Sequence, residues 1–257
     1  SIIPQPDDKN SQEKNIGGGF HNYLTVHRAA RGEYIAHIDG DDLMLPNKIQ
    51  KQADYLDQNP GCTVVWHRVN FFDDSGNFFP GEDYDYSMFP NGVVTFSAAL
   101  SLGSVAIHSS TMYRKTARKT VNPEFPTLDL FFSWEFLSSG WGMILDDVLG
   151  AYRVNSVGSI STTLRLLTRS LYANHAEYFF KRYPCYRKDV FFFALTNLLI
   201  DLKNRRRTSL DFLILAIRSF SLVGPMELFS HLKVARKLRI PELRTNTKTS
   251  NNGAGAQ

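Results

Sequence analysis

Asp39, Asp41 and Asp42 close the run Tyr34-Ile35-Ala36-His37-Ile38, with a side-chain-free Gly40 between the first two. An apolar run that breaks abruptly into acids reads as a buried strand and its end. In open α/β sheets, ligands gather beyond the carboxyl ends of strands. Two carboxylates two residues apart across a glycine can converge on one hard cation. Mg2+ and Mn2+ take oxygen donors, and Mg2+ commonly uses one or two carboxylates together with substrate phosphates. An acidic surface turn is the competing reading. A second chemically suggestive stretch is Asn15-Ile16-Gly17-Gly18-Gly19, ahead of the helical pattern Tyr23–Ala30. Consecutive glycines let backbone N–H groups approach a phosphate or sugar. No Gly-Lys-Ser/Thr closes the loop, so it is not a P-loop, and a plain turn with a helix cap would look the same.

The elements that must position these residues follow from periodicity. Pro46 stands where a helix would begin, and Ile49, Ala53 and Leu56 recur at helical spacing, so a helix is expected over 46–58 and is stopped by Asn59-Pro60-Gly61. Cys62–Trp66 reads as a strand. Phe71-Phe72 and Phe78-Phe79 flank Asp73–Asn77 as a hairpin. Residues 80–94 form a long loop, and Thr95 or Ser97 caps a short helix. Ser104–His108 and Thr111–Tyr113 read as strand pieces, and a strongly apolar helix, Leu128–Leu137, begins with the acid Asp129. Trp141–Leu145 and Val148–Arg153 read as two further strands. From about residue 160 strand signals stop, and helical patterns run through 162–182, 188–204, 208–221 and 225–238. The domain expectation is a catalytic α/β unit over 1–160, a basic helical region over 161–244 and a polar, disordered tail over 245–257.

Composition narrows the function classes. A hydrophobic fraction of 43% supports a globular core. No signal-peptide pattern opens the chain, and no run of about 18 apolar residues is present. Cys62 and Cys185 show neither metal spacing nor a disulfide framework, so both are expected as free buried thiols in a reducing, cytoplasmic compartment. The net charge of +4 conceals an asymmetry: residues 1–150 carry 11 Lys and Arg against 19 Asp and Glu, whereas residues 151–257 carry 18 against 6. An acidic front suits a metal. A basic back with Arg205-Arg206-Arg207 suits an anionic membrane surface, approached peripherally from the inner face. Nucleic acid is the rival partner for such charge, but no recognised module accompanies it.

The ordered set Asn15-x-Gly17, Ala30-Arg31-Gly32-Glu33-Tyr34-Ile35, Asp39-Gly40-Asp41-Asp42, Pro46-x-Lys48-Ile49 and Gln52 resembles the family 2 glycosyltransferases. The resemblance continues through His108-Ser109-Ser110-x-Met112-x-Arg114-Lys115, the helix starting at Asp129, and Tyr152-Arg153 followed by Ser159-Ile160-Ser161, covering roughly 15–161. It implies a GT-A-like, Rossmann-related mixed sheet flanked by helices, followed by a helical C-terminal region. It implies a nucleoside-diphosphate sugar donor and an Mn2+ or Mg2+ cofactor. Asp41 would bind the metal directly, Asp39 would contact the metal or the ribose, and Asn15 and Gly17 would line the donor site. Asp129 matches the family's catalytic base, although the Glu that usually precedes it is Leu128 here; Glu124, Glu135 and Asp146 are reserves. Asp42 is expected to cap the following turn. His108, Ser109 and Arg153 are acceptor-site candidates, and Tyr152 is a stacking platform. The acceptor would be a saccharide or a lipid-linked saccharide, as in bacterial surface-polysaccharide synthesis, with inversion at the anomeric carbon. Only 38 residues precede Asp39, too few for both of the family's first strands, which carry the nucleotide pocket. A nucleotidyltransferase of related fold and an inactive glycan- or nucleotide-sugar-binding remnant are the alternatives.

Overall fold

The computed structural model describes residues 19–79, 85–119, 124–154 and 165–237. Asn15, Gly17, Ser159–Ser161 and the polar tail lie outside them.

The sheet is built from β1 (Tyr34–Ala36), β2 (Leu43–Met44), β3 (Cys62–Phe72), β4 (Phe78–Phe79), β5 (Val93–Val94), β6 (Met112–Arg114) and β7 (Trp141–Arg153). Its main order is β1-β6-β3-β7-β2, with β4 on β3 and β5 on β7. β6 runs antiparallel to both β1 and β3, and β7 runs parallel to β3. β1, β3 and β7 therefore all point the same way, and their carboxyl ends gather at one edge of the sheet. β3 is central and buried along nearly its whole length, covered on both faces, and runs six residues past the expected Cys62–Trp66 through His67, Arg68 and Asn70.

Several sequence expectations change in detail. The apolar run before the carboxylates is strand only over Tyr34–Ala36, although the His37 N–H still reaches the Thr111 carbonyl at 2.9 Å. Trp141–Arg153 is one strand rather than two. The polar pair Asp146-Asp147 sits at a register shift against His67 and Arg68, where Asp146 pairs with Arg68 at 3.0 Å and Asp147 with Lys51. Ser104–Ile107 forms no strand; the hydroxyl-rich segment His108–Ser110 makes a 3-10 turn that leads into β6. The Phe71–Phe79 hairpin and the Thr95 cap, which accepts the Ala98 N–H at 3.2 Å, stand as expected. Cys62 is buried, but Cys185 is exposed.

Helices α1 (Gly19–Ala29), α2 (Lys48–Gln58), α3 (Phe96–Leu102) and α4 (Asp129–Leu137) surround the sheet. α2 starts two residues later than Pro46 suggests, because Asn47 takes a left-handed conformation (φ 67°) at its N-cap. α4 is apolar all round and buried on nearly every side, as such a helix must be. It lies close on β7 at Gly142, where a Cβ would meet Trp66 at 2.5 Å and Leu137 at 3.0 Å.

Four helices follow: α5 (Arg165–Arg182), α6 (Arg187–Lys203), α7 (Ser209–Arg218) and α8 (Pro225–Lys237). One continuous core joins the sheet residues Val64 and Trp66, the α4 aromatics, and Phe179, Phe193 and Phe212 of the helical region. Trp134 lies between the two sets, edge-on to Phe179 and Phe193, with its indole N–H on the Ala99 carbonyl at 3.0 Å. Inside the helical region the buried Asp201 collects Arg169 at 2.6 Å, Arg206 at 3.2 Å and the Thr208 hydroxyl at 2.6 Å. A buried carboxylate persists only when paired in this way.

Candidate active site

Sheet direction brings four segments together. The turn after β1 carries Asp39–Asp42, β3 ends at Phe72 before Asp73 and Asp74, the 3-10 turn before β6 carries His108–Ser110, and β7 ends in Tyr152-Arg153. All stand at the edge where the strands' carboxyl ends gather.

Asp39 and Asp41 are exposed, whereas Asp42 is buried. Asp42 does more than cap a turn. Its carboxylate accepts a short hydrogen bond from the Ser109 hydroxyl and another from the Arg153 N–H at 2.8 Å, while its own N–H closes the turn on the Asp39 carbonyl at 3.1 Å. The Ser109 hydroxyl oxygen in turn accepts the Asp39 N–H at 2.9 Å. One buried carboxylate thus ties the Asp39–Asp41 turn to the segment before β6 and to the end of β7. Burial raises its pKa, while the bonds from Ser109 and Arg153 hold it down.

Lys48 supports the same turn from beneath. Although it is almost fully buried, its ammonium donates to the His37 carbonyl at 2.8 Å and to the Ser109 carbonyl. Burial lowers its pKa to about 8, against the opposing pull of Asp42 and Asp39. One turn along α2, Gln52 donates to the Val65 and Ser110 carbonyls at 3.0 and 2.8 Å. The helix after the carboxylates is therefore keyed to the sheet by two buried polar side chains rather than by apolar contact alone.

Asp129 begins α4, with its carboxylate on the Leu130 N–H at 2.8 Å. Tyr152 links it to the acidic turn. Burial first, then the charges of Asp42, Asp129, Asp39 and Asp41, push the Tyr152 phenol up to about 12. Tyr172 of α5 is raised by burial and then by Asp129. Both phenols thus feel the charge of Asp129, and Tyr172 had no signal in the sequence beyond its place in a helical pattern.

The other candidates divide. Ser109 is a strut of the turn. His108 is half-buried against His37, ring centroids 4.5 Å apart, in an aromatic cluster with Tyr23 and Tyr113. His37 is held well below its usual range by burial, then by His108, Lys48 and His27. The Arg153 guanidinium lies 3.6 Å from Asp74 and 5.5 Å from the Phe72 ring centroid. Glu135, a reserve base, is committed elsewhere: it is buried, and both of its carboxylate oxygens accept from one Arg118 guanidinium nitrogen at 2.8 and 3.0 Å. Asp146 is committed to Arg68.

Among the described residues no set of three or more His, Cys, Asp or Glu side chains converges as a metal cage. No described cation pairs with Asp39 or Asp41. Two solvent-facing carboxylates on a braced turn fit a hard divalent ion that takes its remaining oxygens from substrate and water.

Residues 11–121 match the family model described as glycosyl transferase family 2. This segment belongs to that family. Over 77 residues the chain is 36% identical to an uncharacterized glycosyltransferase, MJ1057, of Methanocaldococcus jannaschii, covering 29% of this chain and 26% of that protein. Over 66 residues it is 45% identical to the uncharacterized protein Rv1520 of Mycobacterium tuberculosis, covering 25% and 19%. The matches thus span about a quarter or less of those relatives. The S. aureus TarS 1–349 structure superimposes with a TM-score of 0.52 at 15% identity, over 87% of this chain and 68% of that one, which is a likeness of fold. The fold is GT-A-like, with a mixed sheet, flanking helices and a helical C-terminal region.

Proposed function

We propose that the family 2 segment transfers a sugar from a nucleoside-diphosphate sugar to an acceptor hydroxyl. The observation that carries this is the placement of Asp39 and Asp41 on a braced turn at the carboxyl ends of the strands, with Asp129 at the start of α4. Asp41 and Asp39 would hold Mn2+ or Mg2+, which would neutralise charge developing on the departing diphosphate. Asp129 takes the proton from the acceptor hydroxyl as that oxygen bonds to the anomeric carbon. The bond from that carbon to the diphosphate oxygen breaks, and the nucleoside diphosphate leaves from the opposite face with inversion. General-base help of this kind is worth about 10²–10⁴-fold. Asp42, Ser109 and Lys48 keep the turn in place. Tyr152, at the carboxyl end of β7 and within electrostatic reach of both sets of carboxylates, would offer its ring to an acceptor sugar.

Asn15 and Gly17 would add donor contacts, and His108 and Arg153 would border the acceptor, while Ser109, expected there, is buried with its hydroxyl committed to the turn. A saccharide or lipid-linked acceptor, as used in bacterial surface-polysaccharide synthesis, suits a catalytic sheet followed by basic helices. The domain division at about residue 160 is kept as a division of labour: donor chemistry on the sheet, placement by the helices.

The test is titration of a panel of sugar nucleotides with and without Mn2+, followed by a transfer assay. Mn2+-dependent binding that Asp41→Ala abolishes supports the reading. Metal-independent binding unchanged by Asp41→Ala refutes it. Binding without transfer to any saccharide points instead to a sugar-nucleotide-binding remnant.

A further inference from the structure

The helical region exposes apolar side chains where a solvated face would carry charge. In α7, Phe212, Leu215 and Ala216 face the core. Leu210, Leu213, Ile214 and Ile217 recur at helical spacing on the other side, and all are exposed, Ile217 by 65%. The stripe continues along the chain through Phe220 and Leu222, the latter 90% exposed, to Met226 and Phe229 of α8, exposed by 79% and 67%. α7 is thus apolar on both faces, while only one has a protein partner among the described residues.

The charge around this stripe is predominantly positive. Residues 165–237 hold 14 Lys and Arg against 5 Asp and Glu. Of the five acids, Asp211 is half-buried in the first turn of α7, Asp201 is buried and paired, and Asp189 is bonded to Ser97 at 2.9 Å. Glu177 pairs with Arg218 at 2.7 Å, and Glu227 with Lys188 at 2.5 Å. Lys203, Arg205 and Arg207 are exposed immediately before α7, and Lys233 and Arg236 on α8.

We infer that this surface docks on a bilayer rich in anionic lipid, with the stripe from Leu210 to Phe229 at the acyl boundary and the flanking Arg and Lys at the headgroups. An apolar helix face flanked by cations is the chemistry of interfacial binding: burial of the apolar side chains and attraction to anionic headgroups act together. Long basic side chains reach the headgroups while their stems cover apolar surface. Self-association through the same stripe would bring two basic rims together, an unfavourable juxtaposition. No described helix is long and apolar enough to cross the membrane, so the mode is lateral.

The experiment is co-sedimentation with phosphatidylcholine vesicles, with and without phosphatidylglycerol, at low and high salt. No donor or acceptor is present, so the result is independent of the transferase reading. Binding is expected to be about tenfold or more tighter to the anionic vesicles, with the difference collapsing at high salt. Ile217→Glu combined with Leu222→Glu alters exposed positions only and should abolish binding to both vesicles with an unchanged circular dichroism spectrum. Arg205→Gln combined with Arg207→Gln should remove the anionic preference while sparing the residual apolar term. The inference is overturned if the wild-type chain does not sediment with anionic vesicles. It is equally overturned if the Glu variant binds like wild type, or if sedimentation velocity shows a stable dimer that the Glu variant dissolves while vesicle binding persists.

Discussion

Removing the Asp42 carboxylate should loosen the candidate metal turn without touching any residue that would meet the metal. In Asp42→Ala the buried Ser109 hydroxyl loses its acceptor and the half-buried Arg153 N–H loses its 2.8 Å bond. Hydrogen bonds to a charged group contribute about 1.5–3 kcal/mol each. Part of that is offset because the wild-type carboxylate is itself held in a buried place that raises its pKa. A net loss of about 3 kcal/mol follows, which for a chain of this size lowers Tm by roughly 6–12 °C. The functional consequence is separate. Asp39 and Asp41 keep their carboxylates, but the strut through Ser109 to the Asp39 N–H is broken, and loss of such an outer support typically weakens a metal site by about 10–100-fold. Asp42→Asn keeps one acceptor oxygen and should fall between the variants. Urea unfolding gives the first quantity, and Mn2+ titration in the presence of a nucleoside diphosphate gives the second. The reasoning is refuted if Asp42→Ala unfolds within about 0.5 kcal/mol of wild type, the range of an ordinary surface change, or if its Mn2+ affinity is unaltered.

Asp129→Asn should reduce transfer by about 10²–10⁴-fold while leaving donor binding intact, whereas Asp41→Asn should weaken Mn2+-dependent donor binding itself; steady-state kinetics beside calorimetry separates the two. Glu135→Leu removes the carboxylate partner of the buried Arg118 and should cost about 3–5 kcal/mol, yet Glu135→Leu combined with Arg118→Met should recover most of that, read by urea unfolding of both variants. The same pair carries a pH signature, because burial raises Glu135 to about 7 from 4.5 although Arg118 opposes the rise. The folded state then binds more protons than the unfolded chain between those values, so stability falls as pH rises from about 4.5 to about 7. The wild type should lose more stability than Glu135→Gln between pH 5 and pH 7, by on the order of 2 kcal/mol, and equal slopes would contradict the raised pKa.

Much of the architecture was legible because it rests on patterns that burial enforces. The Cys62–Trp66 part of β3 reads as a strand because it is mostly apolar on both faces, whereas its continuation through His67, Arg68 and Asn70 was hidden; α4 reads as a helix because its aromatics leave almost no side for water. The short strands β2 and β5 were not legible. Two residues carry no periodicity, and Leu43-Met44 is strand only because β7 lies opposite with Ala151 and Gly150. The break expected inside β7 was a misreading of Asp146-Asp147. These acids interrupt hydrophobicity but not pairing, because the register shift opposite them lets both reach cations on neighbouring elements.

The candidate site divides along the same line. Asp39, Asp41 and Asp129 are visible as residue types in the right order, and the fold sets them around one edge. The supports were hidden, since their role depends on partners far along the chain: Asp42 is 67 residues from Ser109 and 111 from Arg153. Lys48 could be read only as part of a pattern, because nothing local indicates that a lysine will be buried to hold two carbonyls. A sequence exposes groups that face solvent and substrate, while the groups that fix their geometry are disguised as ordinary turn and helix residues. Tyr152 shows why that matters for chemistry. Burial, then the charges of Asp42, Asp129, Asp39 and Asp41, raise the pKa of its phenol, which is protonated at neutral pH like any tyrosine and so is a hydrogen-bond donor near the candidate metal turn and the candidate base. Tyr152→Phe keeps the ring and its packing and removes only that donor. If the phenol orients an acceptor hydroxyl between the two groups, the variant loses turnover with some acceptors and keeps Mn2+-dependent donor binding. If the ring alone matters, it keeps both.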